Sequence, residues 1–285
     1  MPMSDEPLAS WSPRRSWIVA VAFFPVAYSV YLSLHAAKIT GTGAWVGLAN
    51  YREIFQDARF TEALFNTALF TVVSVSIELV LGLCIALGLN QAFRGRGVVR
   101  TAVLLPWAFP VVVSALMWRL MLQDQVGIVS YVVHSLGLAN SPILSNRTSL
   151  LIAAILVDVW KTTPFMALLL LAGLQTLPKD VIEAAKVDGA SAVRRLFSIT
   201  LPLLKPTILV ALLFRTLEAW GVYDLFWVMT DRQLDSLSTY TFEGVRISQL
   251  DFAPGTAAAV FTFFAAVGIA LFFITVLGAR TADER

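Results

Sequence analysis

Residues 175–206 read QTLPKDVIEAAKVDGASAVRRLFSITLPLLKP, the longest polar interruption in the apolar second half of the chain. The stretch sets Lys179, Lys186, Arg194, Arg195 and Lys205 against Asp180, Glu183 and Asp188. Leu177-Pro178 breaks the helix before it, and Pro178 suits the first turn of a new one. Asp180 and Glu183 then fall in or beside that turn, where a carboxylate is favourable against the helix dipole. Val181-Ile182 and Ala184-Ala185 form a small, flat apolar face that lets another surface approach closely. Asp188-Gly189 ends the helix, because glycine takes the left-handed conformation a helix C-terminus needs. Ser191 caps a second short helix with Arg194, Arg195 and Phe197. Leu201-Pro202 and Lys205-Pro206 are expected to stop it and restart the chain. Two short helices joined by a sharp turn are therefore predicted; the competing reading is an ordinary amphipathic loop among lipid headgroups.

What surrounds this stretch is membrane. The 285 residues are 58% hydrophobic and 14% charged, with a mean hydropathy of +0.75. A soluble domain is about 45–50% apolar and about 25% charged, so the chain reads as a polytopic membrane protein. A bilayer core takes about 20 largely apolar residues of helix. Six segments meet this: 17–34, 63–89, 98–122, 149–174, 206–229 and 257–277. Their runs are continuous rather than alternating every second residue, which favours helices over a barrel. The fold class is all-α, with tails at 1–16 and 278–285, a transmembrane domain over 17–277 and a polar loop at 175–205. The N-terminus passes from polar to basic to apolar without a small-residue cleavage pattern, and reads as an uncleaved first span.

Orientation follows the basic residues. Arg14 and Arg15 precede the first span, Arg94, Arg96 and Arg100 separate the second and third, and Arg280 and Arg285 follow the sixth. With six spans these share one side with the five bases of 175–206. The opposite, longer loops hold only Lys38, Arg52, Arg59, Arg147, Arg232 and Arg246. The positive-inside rule puts both termini and the polar stretch in the cytosol. Outside, 48–60 is amphipathic with Asn50 as its cap, 125–138 is similar, and 231–254 is polar with Tyr240, Phe242 and Phe252. Interfacial anchoring and docking of an extracellular partner are the two readings of these loops.

The span interiors carry polar groups that lipid does not tolerate unpaired. Pro106, Pro110 and Pro164 free backbone carbonyls. Glu78, Arg119, Asp158, Lys161, Arg215, Glu218 and Asp224 lie at membrane depth and should face protein or water. Asp158 with Lys161, and Arg215 with Glu218, stand three apart on one helix face, so local pairing competes with a substrate role. Trp160 and Lys161 precede Pro164, which is expected to kink and break the fourth span. Trp220, Tyr223, Asp224 and Trp227 share one face of a continuous helix by their spacing. These residues are candidates for a substrate path; packing on another subunit is the alternative.

Several classes are excluded. One cysteine, Cys84, precludes an intrachain disulfide and a cysteine metal cluster; with His35 and His134 the only histidines, a zinc or haem site has too few ligands. No HExxH, no GxSxG and no Cys-His pair supports a membrane-embedded enzyme. Nothing in the charge pattern points to nucleic acid. Kinked helices with buried polar residues suit transport, and transport needs energy. None of the five lysines follows a glycine, so no P-loop is present. Energy enters from an ion gradient through intramembrane carboxylates, or from a separate ATPase. The two halves lack the self-similarity common in secondary transporters, and the 175–206 stretch favours the ATPase.

The segment EAAKVDGASAVRRLFSITLP resembles the EAA motif of ATP-binding cassette (ABC) importer permeases: Glu183, Ala184, Ala185, then Asp188-Gly189-Ala190, then Ile199, Leu201 and Pro202. LLPWAFPVVVSALMWRLML (104–122), VDVWKTTPFMALLLLAGLQTLP (157–178) and the pairs Asp224-Leu225 and Met229-Thr230 resemble its carbohydrate, maltose-transporter-like branch. The likeness runs from Trp17 to Leu277 and is greatest to the first permease of actinobacterial disaccharide importers such as the mycobacterial trehalose importer. One departure stands out: Asp231-Arg232-Gln233-Leu234 replaces the Gly-Gly-Gly-Pro common after the second pair. The resemblance implies a type I ABC importer permease fold in the cell membrane and a second homologous permease beside it. It also implies a cytosolic ABC ATPase dimer and an extracellular solute-binding lipoprotein that delivers the sugar. No cofactor binds this chain; ATP and magnesium belong to the ATPase. The EAA loop becomes a coupling helix, with Glu183 on the ATPase, Gly189 as the turn and Asp188 capping or pairing locally. Arg194 and Arg195 pair with acidic groups on the ATPase or with anionic lipid.

Overall fold

The computed structural model describes residues 13–38, 41–91, 94–138, 141–247 and 252–277. Most of the tail at 1–16, and all of that at 278–285, lie outside the described residues. The elements in order are α1 (Pro13–Ser33), a hairpin of β1 (His35–Lys38) and β2 (Gly41–Trp45), α2 (Ala49–Gln56), α3 (Ala58–Asn90), α4 (Arg96–Ala108), α5 (Val111–Leu122) and α6 (Ile128–Ser135). There follow α7 (Arg147–Thr176), α8 (Lys179–Val187), α9 (Ala192–Arg195), α10 (Leu201–Trp220), α11 (Asp224–Met229), α12 (Leu237–Phe242) and α13 (Ala253–Phe272). The antiparallel hairpin, pairing His35 with Trp45, departs from the expected all-α class.

Among the described residues four helices are long and apolar enough to cross a bilayer: Ala58–Asn90, Arg147–Thr176, Ala192–Trp220 and Ala253–Thr275. Arg96–Ala108 and Val111–Leu122 add a fifth if they form one broken span. Two expected spans are corrected. Segment 98–122 is not one kinked helix but two, bent by 87° at Phe109-Pro110. Phe109 is extended (φ −74°, ψ 141°), as the proline ring after it requires. Segment 206–229 is also broken: α10 ends at Trp220, and α11 restarts at Asp224.

The chain divides into two compact units. The first holds residues 1–58 and 241–261. Here Asn50 is not a cap; Leu48 holds that position in α2. The buried Asn50 amide instead donates to the carbonyls of Ser33 (2.7 Å) and His35 (3.0 Å), fastening α2 to the start of the hairpin.

The second unit, 59–240 and 262–285, is built around α7, which runs on through Pro164 where a break was expected. Its Asn146 cap accepts from the Thr148 amide at 2.8 Å, and 67% of its most apolar window is buried within the protein. Trp107 of α4 stacks on Phe165 of α7 (5.6 Å), and Phe70 of α3 meets Phe226 of α11 edge-on (5.3 Å). Two glycines let helices close on α7 and α10. A Cβ on Gly82 would stand 2.7 Å from Met166 Cγ, and one on Gly173 2.5 Å from Thr207 Oγ1 and 2.8 Å from Leu204 Cδ1. Overpacking such a contact costs about 1–3 kcal/mol. Gly173→Val is expected to lower the melting temperature of the purified protein. Gly88→Ala, where a Cβ meets nothing within 4 Å, should leave it unchanged or raise it; equal melting of both variants would refute this reading of the helix contact.

Candidate functional site

One guanidinium joins three carboxylates in the interior of the second unit. Arg215 of α10 is 1% exposed. Its Nε donates to Glu78 Oε2 at 2.6 Å and its Nη2 to Glu78 Oε1 at 2.9 Å, the two-pronged geometry that arginine and carboxylate share. Nη2 also reaches Asp158 Oδ2 at 3.1 Å, and Nη1 reaches Glu218 Oε2 at 2.7 Å. Thr162 Oγ1 lies 2.8 Å from Glu78 Oε1 and 2.6 Å from the Asp158 carbonyl, one proton between two acceptors. Helices α3, α7 and α10 thus meet at a single point. The Arg215–Glu218 pair follows the three-residue spacing; the Asp158–Lys161 alternative does not hold, because Asp158 turns to Arg215.

Lys161 points elsewhere. Its Nζ donates to the Phe109 carbonyl at 2.8 Å and the Trp107 carbonyl at 3.4 Å, groups left without helical partners by the break before Pro110. A cation from α7 satisfies a break between α4 and α5. Between the lysine and the ion cluster lies a cavity of about 250 Å³, walled by Asp158, Lys161, Arg215, Glu218, Tyr223 and Asp224 among others.

Of the sequence-predicted path residues, Lys161, Tyr223 and Asp224 line this cavity; Trp160, Trp220 and Trp227 are not among its lining residues. The shared face expected of Trp220, Tyr223, Asp224 and Trp227 is absent, because Gly221–Tyr223 interrupts the helix. Trp220 is buried and donates from Nε1 to the Thr262 carbonyl at 3.2 Å. Trp160 packs edge-on against Trp118 (5.4 Å), and Trp227 stacks on Tyr223 (5.7 Å, 17°). Arg215, Glu218 and Asp158 were visible as ionisable residues at membrane depth, but pairwise spacing along the chain could not show that Glu78, 137 residues before Arg215, completes the set.

The 175–206 stretch folds as two helical pieces about a turn. Pro178 is the N-cap of α8 rather than its first residue. Gly189 adopts φ +77°; its amide donates to the Lys186 carbonyl (3.1 Å) and the Ala190 amide to the Ala185 carbonyl (3.0 Å), the double bond of a Schellman motif. Asp188 is the C-cap. Ser191 Oγ accepts from the Arg194 amide at 3.3 Å. Glu183, Ala184, Asp188, Gly189, Arg194 and Pro202 are exposed, Ala185 is buried, and Arg195, Ile199 and Leu201 are half-buried. The Arg195 guanidinium donates to the Ala190 carbonyl inside the loop. Val187 (88% exposed), Val193 and Phe197 leave an apolar surface open. Pro202 and Pro206 do not stop the second piece: a π turn over Leu196–Thr200 carries α9 into α10. The Leu201 amide reaches back to Leu196, and the widened turn makes room for a proline ring that would clash in an ordinary helix.

The unusual turn after Thr230 has its own geometry. Asp231 (φ 53°) and Arg232 (φ 60°) both hold the left-handed conformation that glycine favours. Asp231 Oδ2 is held at 2.8 Å by Arg119 Nη2, whose Nη1 donates to the Val228 carbonyl at 3.2 Å. Arg232 lies over the Trp227 ring at 5.3 Å.

An α-helical membrane unit of broken spans, an exposed two-helix loop and an internal polar cavity define a transport component. Residues 78–282 match the family described as binding-protein-dependent transport system inner membrane component, and the chain belongs to that family. It is 39% identical to the trehalose/maltose transport system permease protein of Thermococcus litoralis, over 93% of this chain and 90% of that one. It is 40% identical to the trehalose transport system permease protein of Mycobacterium tuberculosis, over 94% and 87%. A chain of the bacterial alginate ABC transporter, solved in complex with alginate pentasaccharide-bound periplasmic protein, matches over 91% of this chain and 93% of its own, at 25% identity and TM-score 0.72. The protein is thus a non-catalytic ABC transporter permease subunit of a multi-pass membrane system, as the EAA resemblance implied.

Breaking a buried ion pair by removing one partner costs about 3–5 kcal/mol. Arg215→Met should therefore lower stability by about that much in thermal melts, and adding Glu78→Met should recover part of the loss. Strictly additive losses would mean that the two residues do not interact.

Proposed function

We propose that this chain forms half of the translocation pathway of an ATP-driven sugar importer, carrying a disaccharide of the trehalose type. The observation that carries the reading is the 39–40% identity, over nearly the whole chain, to two permeases named for trehalose or maltose transport. On this reading six spans leave both termini in the cytosol, as the positive-inside distribution of Lys and Arg requires. A second homologous permease completes the path, and an extracellular solute-binding protein delivers the sugar. Chain ends 1–16 and 278–285 flank a transmembrane domain, and the loop 175–205 faces the cytosol.

The loop is the mechanical input. Glu183 and the exposed faces of Ala184, Asp188 and Arg194 meet a cytosolic ATPase dimer that binds ATP and magnesium, while the buried Ala185 and the half-buried Ile199 face the protein and Leu201-Pro202 begin α10. The exposed Val187, Val193 and Phe197 supply apolar area for that contact. ATP-driven closure of the dimer moves α8, and the continuous helix from Ala192 to Trp220 passes the motion to Arg215 and the cavity wall. Lys161, Tyr223 and Asp224 face the cargo there, with Trp160, Trp220 and Trp227 supporting the path from outside the cavity.

Two measurements test this. In the complex reconstituted with the second permease, ATPase and binding protein, Gly189→Val is expected to insert and co-purify but to lose at least about tenfold of the sugar-stimulated ATPase activity, since a β-branched residue resists φ +77°. Unchanged stimulation would remove the loop from the coupling route. Uptake of trehalose into vesicles should require ATP and persist after ionophores collapse the ion gradients. Uptake that follows the gradient without ATPase would instead make the chain a secondary sugar transporter.

A further inference from the structure

The cavity wall is chemically one-sided. Glu78, Asp158, Glu218 and Asp224 stand on it or directly behind it, against Arg215 and Lys161. Both cations are committed. Arg215 spends its Nε and both Nη groups on Glu78, Asp158 and Glu218, and Lys161 donates to the carbonyls of Phe109 and Trp107. The carboxylates are not equally committed. The Glu218 side chain is 60% exposed beyond its single bond to Arg215, and the Asp224 carboxylate, on the cavity wall, makes no ion pair or side-chain hydrogen bond among the described residues. The wall therefore carries more carboxylates than cations.

We infer that this cavity is a charge filter within the permease: it passes an uncharged polyol and turns away an anionic counterpart of the same size, with Asp224 and Glu218 as the specificity-determining residues. A sugar hydroxyl donates to a carboxylate and forms a short, charge-assisted bond. A sugar carboxylate meets an Arg215 already paired with three carboxylates and a Lys161 already bonded to two carbonyls, and it faces like charge from Asp224 and Glu218 where the surrounding protein screens poorly. Discrimination then comes from a built-in repulsion as much as from an attraction. The inference rests on the reading of the chain as a sugar permease and assigns its cavity a selective role of its own, separate from the binding protein that delivers the cargo.

The test uses the reconstituted complex and two probes: trehalose, and the trehalose analogue with one C6 hydroxymethyl oxidised to a carboxylate. Each is supplied at the concentration that gives equal occupancy of the binding protein, set by direct titration. The wild-type complex is expected to take up trehalose at least about tenfold faster than the acid, a difference of about 1.4 kcal/mol in the barrier. Asp224→Asn, and separately Asp224→Asn with Glu218→Gln, should bring the ratio to within about threefold. Asp224→Asn leaves the Arg215 cluster untouched, so poor assembly of the double variant does not remove the test. A ratio unchanged in Asp224→Asn, or equal uptake of both probes by the wild type, overturns the filter while leaving the permease reading intact. Absence of ATP-dependent trehalose uptake in the wild type overturns the permease reading, and the filter with it.

Discussion

A charge that cannot reach water must be met by the protein, and Arg215 sets the terms for the rest of the second unit. At 1% exposure its guanidinium has to find acceptors at one depth on several helices. It finds Glu78 on α3, Asp158 on α7 and Glu218 one turn along its own helix. The bidentate bond to Glu78 fixes both rotation and height of α3 against α10, because an arginine fork tolerates little misalignment. Thr162 adds a second tie from α7 to the same carboxylate. The ion cluster thus adds a polar constraint on register to the close glycine contacts of α3 with α7 and of α7 with α10.

The breaks in the spans follow from the same requirement. A proline inside a span leaves backbone carbonyls without donors, and lipid has none to offer. Lys161 supplies them at the α4–α5 break. At the α10–α11 break, the Ser236 hydroxyl donates to the Val222 carbonyl at 2.7 Å, so a side chain from the following loop takes over. The polar cavity lies where residues from these interruptions converge, with Val111 from the first and Gly221, Val222 and Tyr223 from the second in its wall. Irregular backbone at membrane depth persists where it lines a cavity or is buried in protein, and both conditions are met here.

Left-handed backbone is handled in opposite ways at the Gly189 turn and at the turn after Thr230. Gly189 takes it without steric cost and closes α8 with two amide–carbonyl bonds. Asp231 and Arg232 take it with side chains attached, at about 1–3 kcal/mol each, and the ion pair to Arg119 and the stacking over Trp227 hold them there. The conformation at this turn is thus the one that the Gly-Gly-Gly-Pro pattern would favour, reached by tertiary contacts instead of by residue choice.

Local chemistry and composition were legible in the chain itself. Hydropathy located the helices now seen at Ala58–Asn90, Arg147–Thr176 and Ala253–Thr275, since a span's length and apolarity are properties of contiguous residues. The turn at Gly189 and the cap at Ser191 were readable for the same reason: each is decided by residues within four positions. The spacing around Glu183 and Gly189 pointed to the family that residues 78–282 match. Other features depended on what lies across the fold. Proline and glycine marked weak points, but only the packed structure decided that Pro110 would bend the chain by 87° while Pro202 would be absorbed by a π turn. Periodicity carried through Gly221 and put Trp220 on a face it does not share. Asp158 was three residues from one cation and chose another, because burial rewards the partner with the better geometry, not the nearer one in sequence. The ionisable residues at membrane depth were therefore visible in the sequence as a scatter of charges, and only tertiary contact sorted them into a cluster that binds itself and the wall of a cavity.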